Sequence, residues 1–112
     1  MLTKVLIVDD HKILREGLRS LLEDAKDIKV VGEAASGDEA ITRAAALKPD
    51  VVIMDVGMPD INGIDATRRI RAEMPAVKVI ALSMHSDRRF VTGMLSAGAS
   101  GYLMKDAAFE EL

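Results

Sequence analysis

Five short apolar runs recur along the chain, and each is separated from the next by a segment with helical periodicity. The runs are rich in Val and Ile and only four to seven residues long, which favours strands over helices. Strands are therefore predicted at 4–8, 28–31, 50–56, 77–83 and 101–105. Because the runs are continuous rather than alternating, they are typical of parallel strands that helices cover on both faces.

The segments between these runs predict amphipathic helices over 11–25, 37–48, 63–74 and 86–98. Ser36 or Asp38 is expected to cap the second helix and Ser86 the fourth, while the second and third helices should end at prolines 49 and 75. A last helix should begin near Ala107. The order βαβαβαβαβ predicts one doubly wound α/β domain over residues 1–112.

The composition excludes several kinds of protein. The chain has 112 residues, a net charge of −3 and no cysteine, which excludes disulfides, thiol nucleophiles and thiolate metal sites. The acidic balance argues against a dedicated nucleic-acid binder. A secretory signal and an apolar run long enough to span a bilayer are both missing from the sequence, so a cytoplasmic protein is expected.

Polar residues stand where the predicted strands end. Asp9 and Asp10 follow the first strand, and the third, fourth and fifth end at Asp55, Ser83 and Lys105. In a doubly wound sheet, ligands bind outside the carboxyl ends of the strands, so these groups should converge. Three carboxylates would repel one another unless a hard cation such as Mg²⁺ lay between them. An ammonium and a hydroxyl beside them suit phosphoryl oxygens, and a carboxylate can itself accept a phosphoryl group.

The motifs VDDH, MDVGMPDINGI, LSMHS and GYLMKDA together resemble those of a two-component response regulator receiver domain. They are most similar to the branch that carries a LuxR-type helix-turn-helix effector domain, and the resemblance covers the whole chain. It implies the flavodoxin-like (CheY-like) fold, with a five-stranded parallel sheet in the order 2-1-3-4-5 and helices on both faces. The fifth helix would be truncated.

The resemblance also implies a role for each site residue. Asp55 would be the phosphoacceptor, and Asp9, Asp10, Asp55 and the backbone carbonyl of Gly57 would hold Mg²⁺. Ser83, Lys105 and Tyr102 would bind the phosphoryl group or switch with it. Many receivers have Lys-Pro with a cis bond after the fifth strand, but this chain has Lys105-Asp106, so a trans bond is expected.

The function implied is signalling rather than enzymatic turnover. A histidine kinase would phosphorylate Asp55, and the domain would switch conformation to control a transcriptional effector domain that is absent from this chain. The domain would itself contact neither nucleic acid nor membrane. Because the last helix is so short, the chain is expected to be the N-terminal fragment of a longer regulator. That fragment should self-associate beside the first and fourth helices or be poorly ordered over 107–112.

Other interpretations stay open. The chain could be a degenerate receiver that acts as a phosphorylation-independent interaction module, although the complete set of site residues disfavours this. A Mg²⁺-dependent phosphohydrolase would need a cap domain, for which 112 residues leave no room. Asp9 and Asp10 could instead be a helix N-cap pair, Lys105 a solvated charge and Tyr102 a half-buried strand residue. His11 and His85 are expected at the rim of the site, with no transition-metal role.

Overall fold

The chain forms a five-stranded parallel sheet with helices on both faces. The structure, a computed structural model, describes residues 2–55, 63–83 and 88–104, and the side chains of all of these except 83, 88–91, 103 and 104. Its elements are β1 (Thr3–Val8), α1 (Lys12–Glu23), β2 (Ile28–Ala34), α2 (Gly37–Leu47), β3 (Val51–Asp55), α3 (Gly63–Glu73), β4 (Lys78–Ser83), α4 (Arg88–Ser96) and β5 (Gly101–Met104). The strand order is β2-β1-β3-β4-β5, as predicted. The predicted last helix and the bond after Lys105 lie outside the described residues.

The sheet separates two apolar clusters. The larger one lies between the sheet and helices α2, α3 and α4, and Leu6, Ile70 and Met94 are fully buried in it. The smaller one lies between the sheet and α1, with Ile7 and Leu18 fully buried. Adjacent residues of β1 therefore enter opposite clusters, which explains why its apolar run is continuous.

Strand β2 is longer than the sequence predicts, because it extends to Ala34 rather than ending at residue 31. The register against β1 shifts between Val5 and Leu6, which pair with Val30 and Gly32. A Cβ on Gly32 would lie 2.7 Å from Leu47 Cδ1, so glycine admits the end of α2 here. Gly32 and Glu33 interrupt the apolar pattern, so the pattern does not predict the second half of the strand.

Helix α2 begins and ends where the sequence predicts. Of the two candidates for its cap, Ser36 is confirmed, because its Oγ accepts a hydrogen bond of 3.1 Å from the Glu39 N–H. The carboxylate of Glu39 reaches back to the Ala35 N–H at 2.6 Å. The helix ends at Leu47, and its C-cap Lys48 has a left-handed φ of 50° and precedes Pro49. The predicted Ser86 cap lies outside the described residues.

Asp50 joins the amino-terminal ends of three strands. Its carboxylate accepts the Lys4 N–H at 2.8 Å, and its own N–H donates to the Lys4 carbonyl, also at 2.8 Å. Its carbonyl accepts the Lys78 N–H at 3.0 Å. Asp50 was expected inside the third strand, but it precedes β3 and links β1 to β4 across it. This end of the sheet is therefore held by reciprocal bonds.

Across the described ranges, no helix is both long enough and apolar enough to cross a membrane.

Candidate metal centre

Acidic side chains gather at the carboxyl ends of β1 and β3, which are neighbours in the sheet. Asp9 follows β1 and is fully buried, while Asp55 is the last residue of β3 and is 3% exposed. One ligand atom from each of Asp9, Asp10, His11 and Asp55 lies within 4.8 Å of the others. The structure thus brings together the three carboxylates that were expected to converge.

Asp9 is held by its backbone and by its side chain. Its N–H donates to the Ala34 carbonyl at 3.0 Å, which continues the pairing of β1 with β2 by one residue. Its Oδ1 accepts the His11 N–H at 2.8 Å. Helix α1 takes His11 as its N-cap and has no capping bond from that side chain. The N-cap residue of α1 is therefore His11 rather than Asp9 or Asp10.

His11 contacts the acidic cluster more closely than its expected place at the rim suggests. Its side chain is 65% exposed, yet Nδ1 lies 2.9 Å from Asp9 Oδ1 and 3.2 Å from Asp10 Oδ1. The imidazole can donate one hydrogen bond there and partly screen the carboxylates. Sequence reasoning missed this contact, and its only signal was that the three residues are adjacent.

A second group that the sequence did not single out lies behind Asp9. Arg15 of α1 donates from Nη1 to the Asp9 carbonyl at 2.6 Å and from Nε to Glu33 Oε1 at 3.2 Å. Arg19 donates from Nη1 to the other Glu33 oxygen at 2.8 Å. The hydrogen bond from Arg19 lowers the pKa of the Glu33 carboxyl, with a smaller contribution from Arg15. Glu33 is therefore a charged anchor for both guanidinium groups.

The remaining predicted residues are only partly described. Gly57, Lys105 and His85 lie outside the described residues, as does the side chain of Ser83. The backbone of Ser83 ends β4 and pairs with Met104, so Lys105 directly follows the partner of Ser83. Tyr102 lies in β5, half-buried against the larger apolar cluster. Its proposed switching role stays a prediction.

The donor set fits a hard divalent cation. Such ions take oxygen ligands, and one or two protein carboxylates are usual for the smaller of them. Asp9 and Asp55 are buried carboxylates, and a charge in that position is costly unless it is compensated. The acidic side chains of this pocket could therefore hold a metal ion.

A comparison with known protein families identifies the chain. The family model described as the response regulator receiver domain matches residues 5–112. The chain belongs to this family. Phosphorylation-dependent signalling in two-component systems is the general role of receiver domains, which are generally not classical enzymes.

Curated relatives of this receiver domain include two named response regulators. The chain is 46% identical to "Response regulator GacA" of Pseudomonas syringae over 109 residues, 97% of this chain and 51% of the relative. It is 46% identical to "Response regulator UvrY" of Escherichia coli K12 over 108 residues, 96% of this chain and 50% of the relative. The chain thus spans about half the length of the curated relatives that it matches.

Solved structures agree with this assignment. A LuxR-family two-component response regulator from Aurantimonas is 39% identical with a TM-score of 0.93, covering 99% of this chain and 79% of that one. The receiver domain of a putative NarL response regulator from Mycobacterium tuberculosis is 33% identical with a TM-score of 0.92, over 98% of this chain and 89% of that one. The resemblance to LuxR-family response regulators is therefore confirmed.

Proposed function

We propose that Asp55 accepts a phosphoryl group from a histidine kinase and that the domain then switches conformation. One observation carries this proposal: a buried carboxylate ends a central strand and shares a 4.8 Å cluster with Asp9 and Asp10. Asp55 has the position of a nucleophile, because it is the one carboxylate of the cluster that lies within a strand. The rigid strand would present its oxygen at the sheet edge in a fixed direction.

The transfer would be a simple exchange of one bond for another. A carboxylate oxygen of Asp55 would form a bond to phosphorus, the bond from phosphorus to the donor nitrogen would break, and its electron pair would leave with the imidazole of the kinase. Mg²⁺, held by Asp9, Asp10, Asp55 and the Gly57 carbonyl, would neutralise charge on the phosphoryl oxygens. Lys105 would bind a phosphoryl oxygen, and Ser83 and Tyr102 would turn toward the modified site.

The consequences for the whole protein are proposals as well. The chain spans about half of its curated relatives. We propose that residues 1–112 are the receiver part of a longer cytoplasmic response regulator whose other domain controls transcription. Phosphorylation would then shift the population between two conformations that the attached domain distinguishes.

The test is intact mass spectrometry of the 112-residue chain after incubation with acetyl phosphate and Mg²⁺. We expect an adduct of one phosphoryl group that is absent with EDTA and in Asp55→Asn. Asp65→Asn is the matched control, because Asp65 is an exposed aspartate on α3 that should leave labelling intact. Labelling of Asp55→Asn at another residue would contradict the assignment. No adduct on wild-type protein would favour the interaction-module interpretation, and turnover of many equivalents would favour a phosphohydrolase.

A further inference from the structure

Arg15 of α1 joins the backbone of the acidic cluster to β2. Its side chain is 15% exposed and spans from the Asp9 carbonyl to the Glu33 carboxylate. A guanidinium has several donors in a fixed planar arrangement, so it can bind two acceptors at once without rotating. The two bonds therefore fix the position of Arg15 and of the peptide that it contacts.

The contacted peptide is the one between Asp9 and Asp10. The Asp9 N–H, which belongs to the preceding peptide, is bound to the Ala34 carbonyl of β2. The Asp9 carbonyl, which belongs to the Asp9–Asp10 peptide, accepts from Arg15 at 2.6 Å. The two bonds hold the peptides on both sides of the Asp9 Cα and so restrict the direction in which the Asp10 side chain leaves the backbone. Asp10 has its own side chain 30% exposed, so packing alone does not orient it.

The anchor of Arg15 is itself rigid. Glu33 pairs with Ile7 in the β1–β2 ladder and binds Arg19 with its second oxygen at 2.8 Å. Arg19 in turn donates to Glu23 at 2.8 Å on the same helix. The position of Arg15 is therefore determined by a strand and a helix rather than by the loop that it supports.

We infer that Arg15 is a positioning residue for the metal-binding carboxylates, acting through the Asp9 carbonyl, with Glu33 holding it in place. This inference rests on the proposed function, because it concerns the Mg²⁺ and phosphorylation site at Asp9, Asp10 and Asp55. Arg15 touches no reacting atom in this role. Its effect is to hold Asp10 in the orientation that binds the cation, so its loss should weaken cation binding more than it slows the transfer itself.

The experiment measures the Mg²⁺ dependence of Asp55 labelling by acetyl phosphate in the full chain, with Mg²⁺ binding measured separately by calorimetry. Groups that orient metal ligands typically change metal affinity by about 10-fold or more when they are removed. We expect Arg15→Gln to raise the half-saturating Mg²⁺ concentration by about that factor. The labelling rate at saturating Mg²⁺ should stay close to that of wild type. Arg15→Lys should have a Mg²⁺ affinity between those of Arg15→Gln and wild type. An ammonium can bind one of the two acceptors but lacks the planar set of donors with which a guanidinium binds both.

Arg19→Gln is the matched control. It lies on the same helix and loses a bond to the same Glu33 carboxylate, but its hydrogen bonds are to Glu33 and Glu23 and not to Asp9. A merely structural network would make the two glutamine variants alike in Mg²⁺ affinity, and that result would overturn the inference. So would wild-type affinity in Arg15→Gln. If that variant fails to fold, the same comparison is made with Arg15→Lys, for which wild-type affinity would overturn the inference.

Failure of the proposed function gives a different pattern. Wild-type protein that neither binds Mg²⁺ nor becomes labelled would overturn both proposals. Suppose instead that labelling of the wild-type protein depends on Mg²⁺, but Arg15→Gln and Arg19→Gln have the same Mg²⁺ affinity. That result would overturn only the role of Arg15.

Discussion

The buried carboxylates at the end of β1 and β3 carry an electrostatic cost. Asp9 and Asp55 are almost inaccessible to solvent, and Asp10 places a third carboxylate beside them. Like charges in a partly desolvated site repel by a few kcal/mol per pair at most. The contacts to His11 offset part of this repulsion. Repulsion among these carboxylates therefore lowers the stability of the metal-free protein, and a bound cation would restore it.

The first prediction concerns this repulsion. Asp10→Asn removes one of the three charges, so the metal-free protein should gain about 1 kcal/mol of unfolding free energy. Wild-type protein should gain roughly 1–3 kcal/mol when Mg²⁺ is present at tens of Kd or more, and the variant should lose that response. Thermal unfolding with and without Mg²⁺ measures both effects. Asp24→Asn removes the same charge at the exposed end of α1 and should retain the full Mg²⁺ response.

A second prediction follows from the lowered pKa of Glu33. A carboxyl whose pKa is lowered by folding stabilises the native state above its ordinary value of about 4.5, and this contribution disappears as the pH falls through its native value. At pH 7, Glu33→Gln should therefore cost about 1–2 kcal/mol, which is the low end of the range for hydrogen bonds to charged groups, because solvent partly screens this ion pair. The two proteins should converge as the pH falls from about 4.5 through the lower native pKa of Glu33.

Denaturant unfolding at several pH values measures the difference between wild type and Glu33→Gln. Glu16→Gln, a change to an exposed residue of α1, is the control. A stability difference that is the same at every pH would show that the carboxylate charge is not what matters.

Individual site residues differ in how far the sequence could predict them. The carboxylates were predictable, because a buried run that stops at an aspartate places that side chain at the sheet edge. Arg15 and Glu33 were not, because they are 18 positions apart and meet only through the packing of α1 on β2. The contact of His11 with the carboxylates of Asp9 and Asp10 depends on the side-chain conformation of His11, which the sequence does not predict.

The turn between α4 and β5 depends on a glycine. Gly98 has a φ of +112°, a conformation that side chains strain to adopt. A Cβ there would lie 2.9 Å from Arg71 Cγ, and Arg71 is held in turn by hydrogen bonds to the carbonyls of Pro75 and Val77. The turn is therefore packed closely against the Arg71 side chain of α3, which is itself bound to the loop between α3 and β4.

This packing gives the third prediction. Gly98→Ala should cost about 1–3 kcal/mol, the usual range for a residue forced into an unfavourable backbone conformation. Gly101→Ala is the matched control, since nothing lies within 4 Å of a Cβ at that position. Urea unfolding of the two variants measures the contrast. Equal stability in both would mean that the turn can change its conformation without loss.

Local sequence patterns predict some helix and strand boundaries but not others. The ends of α2 and α3 were predictable, because capping groups and prolines act on their own neighbourhood. The second half of β2 was not, because Gly32 and Glu33 belong to the strand for reasons of packing and ion pairing. Strand β2 lies at the edge of the sheet, with α1 covering one face and α2 the other. It can therefore include a glycine and a glutamate.

The two apolar clusters on opposite faces of the sheet give the fourth prediction. Ile70→Val in the larger cluster and Ile7→Val in the smaller should each cost about 0.5–1.5 kcal/mol. Because the sheet lies between them, their effects should add within about 0.5 kcal/mol in the double variant. Chemical unfolding of the two single variants and the double variant tests this. A larger coupling energy would mean that strain passes through the sheet.

Hydrophobic patterning predicted the fold class but not the order of the strands in the sheet. Alternation of apolar runs with amphipathic segments requires a parallel sheet covered on both sides. The strand order β2-β1-β3-β4-β5 came instead from the resemblance to receiver domains, because hydrophobic patterning does not say which strands are neighbours. That order places β1 beside β3 and so brings Asp9 and Asp10 to Asp55. The chemistry of the site therefore depends on the one feature that periodicity leaves open.

The reciprocal bonds between Lys4 and Asp50 have a consequence for the speed of folding. They join residues 46 positions apart, so β1 can pair with β3 only after a long loop has closed. Loop closure costs entropy before any of these bonds forms, whereas a helix forms within about a microsecond from neighbouring residues. We expect the helices to form and dissolve many times before the first and third strands meet. The encounter of those two strands, rather than helix formation, should then set the time that the receiver domain needs to become native.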